Sequence, residues 1–304
     1  MAVLMAADIV PDSEHRGLMA LLPRTLRNYA LLARFDRPIG WWLLFWPCAW
    51  GVLLAGGEKR WDLLFWLLAG SIVMRGAGCV YNDIIDVDLD RKVARTASRP
   101  LASGAVSRKA AWVWLMALCA VGLVVLLQLR LEAQLVALAS ILPVAAYPLM
   151  KRITWWPQVW LGLVFSWGAL VGWTELRSDN WDALVLLYAG CIFWVVGYDT
   201  IYALQDREDD ALVGIRSSAL RLGENVRGGV ALFYVGAVTF WGMSIWQLRP
   251  DWVAIAALIP AAVHLALQVI VLRTGEDSNA LALFRSNRFA GLLMALACWV
   301  VGNA

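Results

Sequence analysis

The sequence predicts an all-α membrane protein of about nine spanning helices, and three observations carry that prediction. Of the 304 residues, 61% are hydrophobic and 16% are charged, whereas a soluble domain keeps about 25% charged; the mean hydropathy is +0.66. Apolar stretches approaching the roughly 20 residues that a spanning helix needs recur along the chain. No strand-like alternation competes with them. A formal net charge of +3 argues against a nucleic-acid reader, and the composition excludes a disordered chain or a disulfide-built secreted domain. Nineteen Trp suit a chain with two membrane–water boundaries to occupy.

Residues 1–23 read as a flexible tail, because Asp8, Asp12 and Glu14 interrupt its apolar opening and the basic-then-apolar order of a signal peptide is missing. Residues 24–304 read as one transmembrane domain. Within 24–35, Arg24, Arg27 and Arg34 are spaced among Leu26, Tyr29, Leu31 and Leu32, the pattern of an amphipathic helix lying flat on the cytoplasmic surface. Spans are expected at 40–56, 62–82, 110–128, 133–149, 157–175, 183–204, 228–247, 252–272 and 288–302, the last of them short.

With the N-terminus in the cytoplasm, the inside breaks carry twenty Lys and Arg, while the outside ones carry five: Lys59, Arg60, Arg130, Arg177 and Arg249. That is the positive-inside bias, and it implies a multi-pass protein of the cell inner membrane surrounded by lipid. Arg75 alone falls inside a span. Cys48, Cys79, Cys119, Cys191 and Cys298 are scattered singly over the spans and read as small apolar filler, and His264 as ordinary core packing.

Nine of the 23 acids occupy two short windows, each where a span reaches the cytoplasmic face. In the first, Asn82, Asp86 and Asp90 follow an i, i+4, i+8 step that sets them on one helical stripe, with Asp83 at its edge. In the second, Asp206 and Asp210 repeat the step and Asp199 lies two turns earlier. Like charges so placed repel, and burying them near a bilayer costs about 2.5–3.5 kcal/mol each. Such stripes point to a bound cation. Oxygen ligands without His or Cys point to Mg²⁺, which commonly shares its carboxylates with substrate phosphates; a diphosphate fits. Tyr147 and Lys151, again i, i+4, aim a phenol and an ammonium at one point, with Arg152 beside them. Arg75, two turns deeper than Asn82, is placed either to pair with a neighbouring acid or to hold a substrate carboxylate.

A cation-coupled transporter is the rival from another class, although its acids should collect at the midplane of both halves instead of at one face. An intramembrane aspartyl protease is a third reading, but Gly197-Tyr198-Asp199 has no second glycine beside the acid. Asp86-x-x-x-Asp90 and Asp206-x-x-x-Asp210 coincide at an offset of 120 residues, a slight hint of duplicated halves.

Asn82-Asp83-x-x-Asp86-x-x-x-Asp90, the Arg95 to Gly104 stretch with Ser98-Arg99-Pro100-Leu101, Tyr147-x-x-x-Lys151-Arg152 and Asp206-x-x-x-Asp210 resemble the UbiA superfamily of intramembrane prenyltransferases. The string from Arg34 to Gly40 and that from Tyr198 to Asp206 are similar to its 4-hydroxybenzoate polyprenyltransferase branch. The resemblance implies nine helices around a central cavity open to the cytoplasmic side and the lipid. It also implies Mg²⁺-dependent transfer of a polyprenyl group from polyprenyl diphosphate to 4-hydroxybenzoate in ubiquinone synthesis, or to another aromatic acceptor. By it, Asn82, Asp86, Asp90, Asp206 and Asp210, with Asp83 in support, hold Mg²⁺. Tyr147, Lys151 and Arg152 hold the diphosphate, and Arg75 meets the aromatic acid. The chemistry adds Asp206 or Asp199 as the acceptor of the phenolic hydrogen bond or the ring proton. Asp88, Glu208 and Asp209 are surplus to the pattern and are expected to face water.

Overall fold

A computed structural model describes residues 21–92, 96–207, 211, 214, 216–275 and 278–302. The expected flexible tail thus lies almost wholly outside the described residues. Among those described there is no strand, as a bilayer demands of an open chain whose backbone groups must be satisfied internally. Seven helical segments are long and apolar enough to cross a membrane.

In chain order the helices are α1 (Arg24–Leu32), α2 (Ile39–Leu54), α3 (Trp61–Asp90), α4 (Arg108–Leu126), α5 (Leu131–Ala139), α6 (Ile141–Ile153) and α7 (Pro157–Thr174). There follow α8 (Trp181–Tyr202), α9 (Ser218–Leu222), α10 (Val226–Leu248), α11 (Trp252–Ala256), α12 (Ile259–Val271) and α13 (Ala280–Gly302). Two of the nine expected spans fall outside the seven. α2 has only 16 residues and is apolar all round, and α7 is diluted by Gln158, Ser166 and Thr174.

Three boundaries differ from the sequence reading. The span expected at 133–149 is a helix pair, α5 and α6, broken at Ser140; Pro143, three residues on, has no N–H for the turn before it. The span at 252–272 is likewise divided into α11 and α12, with Pro260 at the start of the second. The last span begins at Ala280, not 288, so Arg285 and Arg288 lie on a helix of 23 residues and not in a break.

The chain forms two compact units. The first comprises Met1–Trp41 with Ala69–Val125. Its core gathers Leu32 and Ala33 from the end of α1, Ala77, Val80, Ile84 and Val87 from α3, Leu101 and Val106 from the following loop, and Ala111, Leu115 and Leu118 from α4. Part of the apolar face of α1 is thus spent on protein, with Tyr29 edge-on to Trp114, while Leu26 stays exposed.

The second unit comprises Trp42–Leu68 with Leu126–Ala304. Here small residues let backbones approach closely. Gly168 and Gly172 of α7 face α2, where an added Cβ would fall 2.3 Å from Cys48 Sγ and 2.3 Å from the Cys48 carbonyl respectively. Gly190 and Gly197 of α8 receive the rings of Trp241 and Tyr234 from α10 in the same manner. Trp50, Trp173, Trp194 and Trp241 are fully buried, so part of the tryptophan content builds this core.

Candidate active site

In the first unit, α3 remains α-helical through Asp90, so Asn82, Asp86 and Asp90 share the expected stripe. Asp83 and Asp86 are buried, Asp90 is 7% exposed, and Asn82 is half-buried. Asp88 is exposed, as expected, beside the equally exposed Arg91 at 3.4 Å. A helix C-terminus is an unfavourable place for carboxylates, by about 0.3–1 kcal/mol each at the surface. Cations offset this here. Arg34 donates to both oxygens of Asp83, at 2.7 and 3.0 Å. Arg99 donates to both oxygens of Asp90, at 2.9 and 2.8 Å, and reaches Asp83 at 3.4 Å.

The loop after α3 places Arg99. Thr96 donates its hydroxyl to the Asp90 carbonyl, Arg91 Nε donates to the Ala102 carbonyl, and Arg108 donates to the Ile84 carbonyl. Pro100 and Leu101 are buried, and Gly104 turns the chain at φ +82, a conformation that favours glycine. Arg95 lies outside the described residues. Burial is the largest influence on Arg34 and works against its charge, but Asp83, Cys79 and Asp36 together outweigh it and raise the guanidinium pKa above its ordinary value.

Two turns deeper on α3, Arg75 donates toward Cys79 Sγ. Its side chain passes so near α2 that a Cβ on Gly40 would fall 2.8 Å from Arg75 Nε. Gly40 is therefore the residue whose smallness lets Arg75 take its course.

In the second unit, α6 stays α-helical past Pro148, so the i, i+4 relation of Tyr147 and Lys151 holds. Lys151 and Arg152 occupy its last turn, where cations complement the helix dipole. Arg216 closes this helix end. Its backbone N–H bonds the Lys151 carbonyl at 3.2 Å, its side chain bonds the Ile153 carbonyl at 2.7 Å, and its guanidinium lies 5.5 Å over the Trp155 ring.

Asp199 and Asp206 are half-buried, but the acidic stripe expected from Asp199 to Asp206 does not continue as one α-helical face. α8 ends at Tyr202, tightens into a 3-10 turn over Ala203–Gln205, and Asp206 leaves it with its N–H on the Ala203 carbonyl at 3.3 Å. A 3-10 turn takes three residues per revolution instead of 3.6, which carries Asp206 away from the face that Asp199 occupies. Asp210, Glu208 and Asp209 lie outside the described residues.

Residues that sequence reasoning passed over fix this end of α8. Thr200 and Ser218 share a hydroxyl hydrogen bond of 2.7 Å, and Ser218 N–H donates to Gln158 Oε1 at 3.0 Å. Tyr198 and Tyr202 pack on Phe284, with ring centroids 5.8 and 4.6 Å apart. Gln158 is a lone amide on an apolar span. That oddity was the available signal, because a polar side chain at such a place needs a partner.

Among the described residues, no three His, Cys, Asp or Glu side chains converge closely enough to enclose a metal by themselves. The donor chemistry nevertheless suits a hard cation completed by substrate oxygens: Asp86 is a fully buried carboxylate one turn before Asp90, on a face whose remaining donors are oxygen and amide.

A model of the UbiA prenyltransferase family matches residues 44–298. The chain is 43% identical over 288 residues to the mitochondrial 4-hydroxybenzoate polyprenyltransferase of Rattus norvegicus, covering 92% of this chain and 76% of that one. It is 42% identical over 285 residues to the protein of the same name from Aedes aegypti, covering 91% of this chain and 64% of that relative, which is longer. Among solved structures, a UbiA homolog from Aeropyrum pernix K1 superposes with a TM-score of 0.70 at 24% identity, over 85% of this chain and 97% of that one. A UbiA homolog from Archaeoglobus fulgidus bound to GPP and Mg²⁺ does so with a TM-score of 0.69 at 17% identity, over 91% of this chain and 100% of that one. These two likenesses show a common all-helical membrane fold.

Proposed function

This chain belongs to the UbiA prenyltransferase family, and from that premise we propose that it transfers a polyprenyl group from a polyprenyl diphosphate to the ring carbon ortho to the hydroxyl of 4-hydroxybenzoate, in ubiquinone biosynthesis. The observation that carries the reading is the buried carboxylate stripe ending α3, in a chain 43% identical to a protein named for that activity. It is the feature an enzyme handling a metal–diphosphate needs and a packing helix does not.

Asn82, Asp86 and Asp90 form one set of Mg²⁺ ligands, and Asp206 and Asp210 supply further ones. Bound there with the diphosphate, Mg²⁺ would neutralise charge as the leaving group develops it. Lys151 and Arg152, cations at a helix end that already favours them, hold the leaving group with the phenol of Tyr147. Breaking the allylic C–O bond leaves a carbocation, which survives only where water is excluded; apolar helices in lipid provide that. Arg75 fixes the carboxylate of the aromatic acid by a bidentate contact. The ring carbon ortho to the phenol then attacks the cation, and Asp206 or Asp199 accepts the phenolic hydrogen bond or the ring proton.

The reading places the protein as a multi-pass chain of the cell inner membrane, N-terminus in the cytoplasm, with both acidic windows on that face. Its partners are the prenyl diphosphate, 4-hydroxybenzoate and the lipid around it. Membranes carrying the protein, given 4-hydroxybenzoate, a polyprenyl diphosphate and Mg²⁺, should yield the prenylated acid by mass spectrometry. EDTA should abolish the product, and Asp86→Ala should lower the rate by about a hundredfold or more, the scale of losing a charge stabiliser in the transition state. Undiminished product under either condition would overturn the metal assignment.

A further inference from the structure

We propose that Arg34 is a positioning residue that sets the aspartate-bearing end of α3 before any ligand arrives, with Asp83 acting as its anchor and not as a metal ligand. The proposal rests on the reading of Asp86 and Asp90 as ligands. Its first support is the backbone. α1 closes with Phe35 N–H on the Ala30 carbonyl at 3.0 Å and Arg34 N–H on the Leu31 carbonyl at 3.1 Å. That paired closure places its left-handed residue at Arg34, φ +58, a position normally given to glycine because any other side chain is strained there. A side chain kept at such a site against its backbone preference points to a role for that side chain.

The guanidinium supplies the role. It donates to both Asp83 oxygens, at 2.7 and 3.0 Å, and to the Leu32 carbonyl at 3.2 Å. Asp83 in turn meets Arg99, which grips Asp90. Arg34, Asp83, Arg99 and Asp90 thus form an alternating chain of charge that fixes the orientation of the last carboxylate. Asp83 meets two guanidinium groups, that of Arg34 as a two-pronged fork onto both oxygens, whereas Asp90 meets only the single Nη1 of Arg99.

The same segment has a second, separable end. Residues 33–40 lie along α3: a Cβ on Gly76 would fall 3.0 Å from the Phe35 ring and 3.2 Å from Ala33, and Gly40 opens the space for Arg75. One strap therefore sets the acid ladder at one end and the arginine for the aromatic acid at the other. Substitutions at the two ends should separate the two functions.

The test uses purified full-length protein, with Mn²⁺ and inorganic diphosphate as the probe followed by electron paramagnetic resonance, beside steady-state kinetics. Arg34→Lys keeps the charge but cannot grip both oxygens. It should weaken Mn²⁺ binding and raise the Mg²⁺ concentration for half-maximal activity by about tenfold or more, the usual scale for a group that orients a metal ligand, leaving KM for 4-hydroxybenzoate within about twofold. Gly40→Ala should do the reverse. The pair Arg34→Gln with Asp83→Asn removes the buried charges together; its loss should be no greater than that of either single variant, as expected of residues acting as a unit. Unchanged Mn²⁺ binding by folded Arg34→Lys, or additive losses in the double variant, would overturn the positioning role. A wild-type protein that fails to bind Mn²⁺ with diphosphate would instead overturn the assignment of the acids as ligands.

Discussion

Asn287 is fully buried on α13 and bonds two other side chains within the second unit. Its Oδ1 accepts from Trp194 Nε1 at 2.9 Å, and its Nδ2 donates to Gln268 Oε1 at 3.3 Å, which also accepts from Tyr234 at 2.7 Å. Gln268 Nε2 continues to Ser286. In an apolar surround each of these groups is costly to leave unpaired. Asn287→Leu should therefore lower stability by about 1–2 kcal/mol, read as a reduced midpoint of thermal unfolding in detergent. At this scale the sequence was a partial guide. The polar stripe of α3 was legible because Asn82, Asp86 and Asp90 share one helix and one spacing. Asn287 and Trp194 lie 93 residues apart, and no local pattern pairs them. Arg34 was legible only as part of a motif, since its left-handed backbone and its reach to Asp83 arise from a turn that its own residues would not lead one to expect.

Element boundaries were harder to read than element identities, and the reasons are chemical. Arg285, Asn287 and Arg288 gave residues 273–288 the look of a polar break, yet they belong to α13. Asn287 turns to the core, and Arg288 lies 4.7 Å over the Phe289 ring. Polarity there marks a helix with inward partners, not its absence. At the end of α8 the error ran the other way: Asp199 and Asp206, two turns apart, promised a continuing helical face, and the α-helix ends at Tyr202. Contacts between helices were least visible, because glycine at close approach leaves no hydrophobic signature. Gly172→Leu would drive a side chain into the Cys48 carbonyl, 2.3 Å from where its Cβ must sit. It should cost about 1–3 kcal/mol or prevent folding. Recovery of folded protein by size-exclusion chromatography, compared with Gly56→Leu as a control for the φ +86 turn, separates crowding from backbone strain.

Over the whole molecule, the sorting of charge is the feature the sequence conveyed most directly. Composition alone points to a bilayer, and the distribution of Lys and Arg predicts an orientation. Exposed tryptophans agree with the two boundaries: Trp61, Trp112, Trp155, Trp181, Trp246, Trp252 and Trp299 all lie at or near helix ends. A membrane-impermeant thiol reagent should label Lys59→Cys from the outer face and Lys109→Cys only from the cytoplasmic face of oriented vesicles. Labelling of both from one face would overturn that topology.

The length of α3 has a consequence for kinetics. Its 30 residues extend about 45 Å, whereas the hydrocarbon layer is about 30 Å thick, so the helix is long enough for its acidic end to reach headgroup depth. A polyprenyl diphosphate already rests at that depth, tail in oil and head in water, and reaches the protein by diffusing within one leaflet. For the proposed reaction, substrate supply is then a matter of surface density. Inert phospholipid added at fixed substrate and fixed volume would slow the enzyme just as added buffer slows a soluble one.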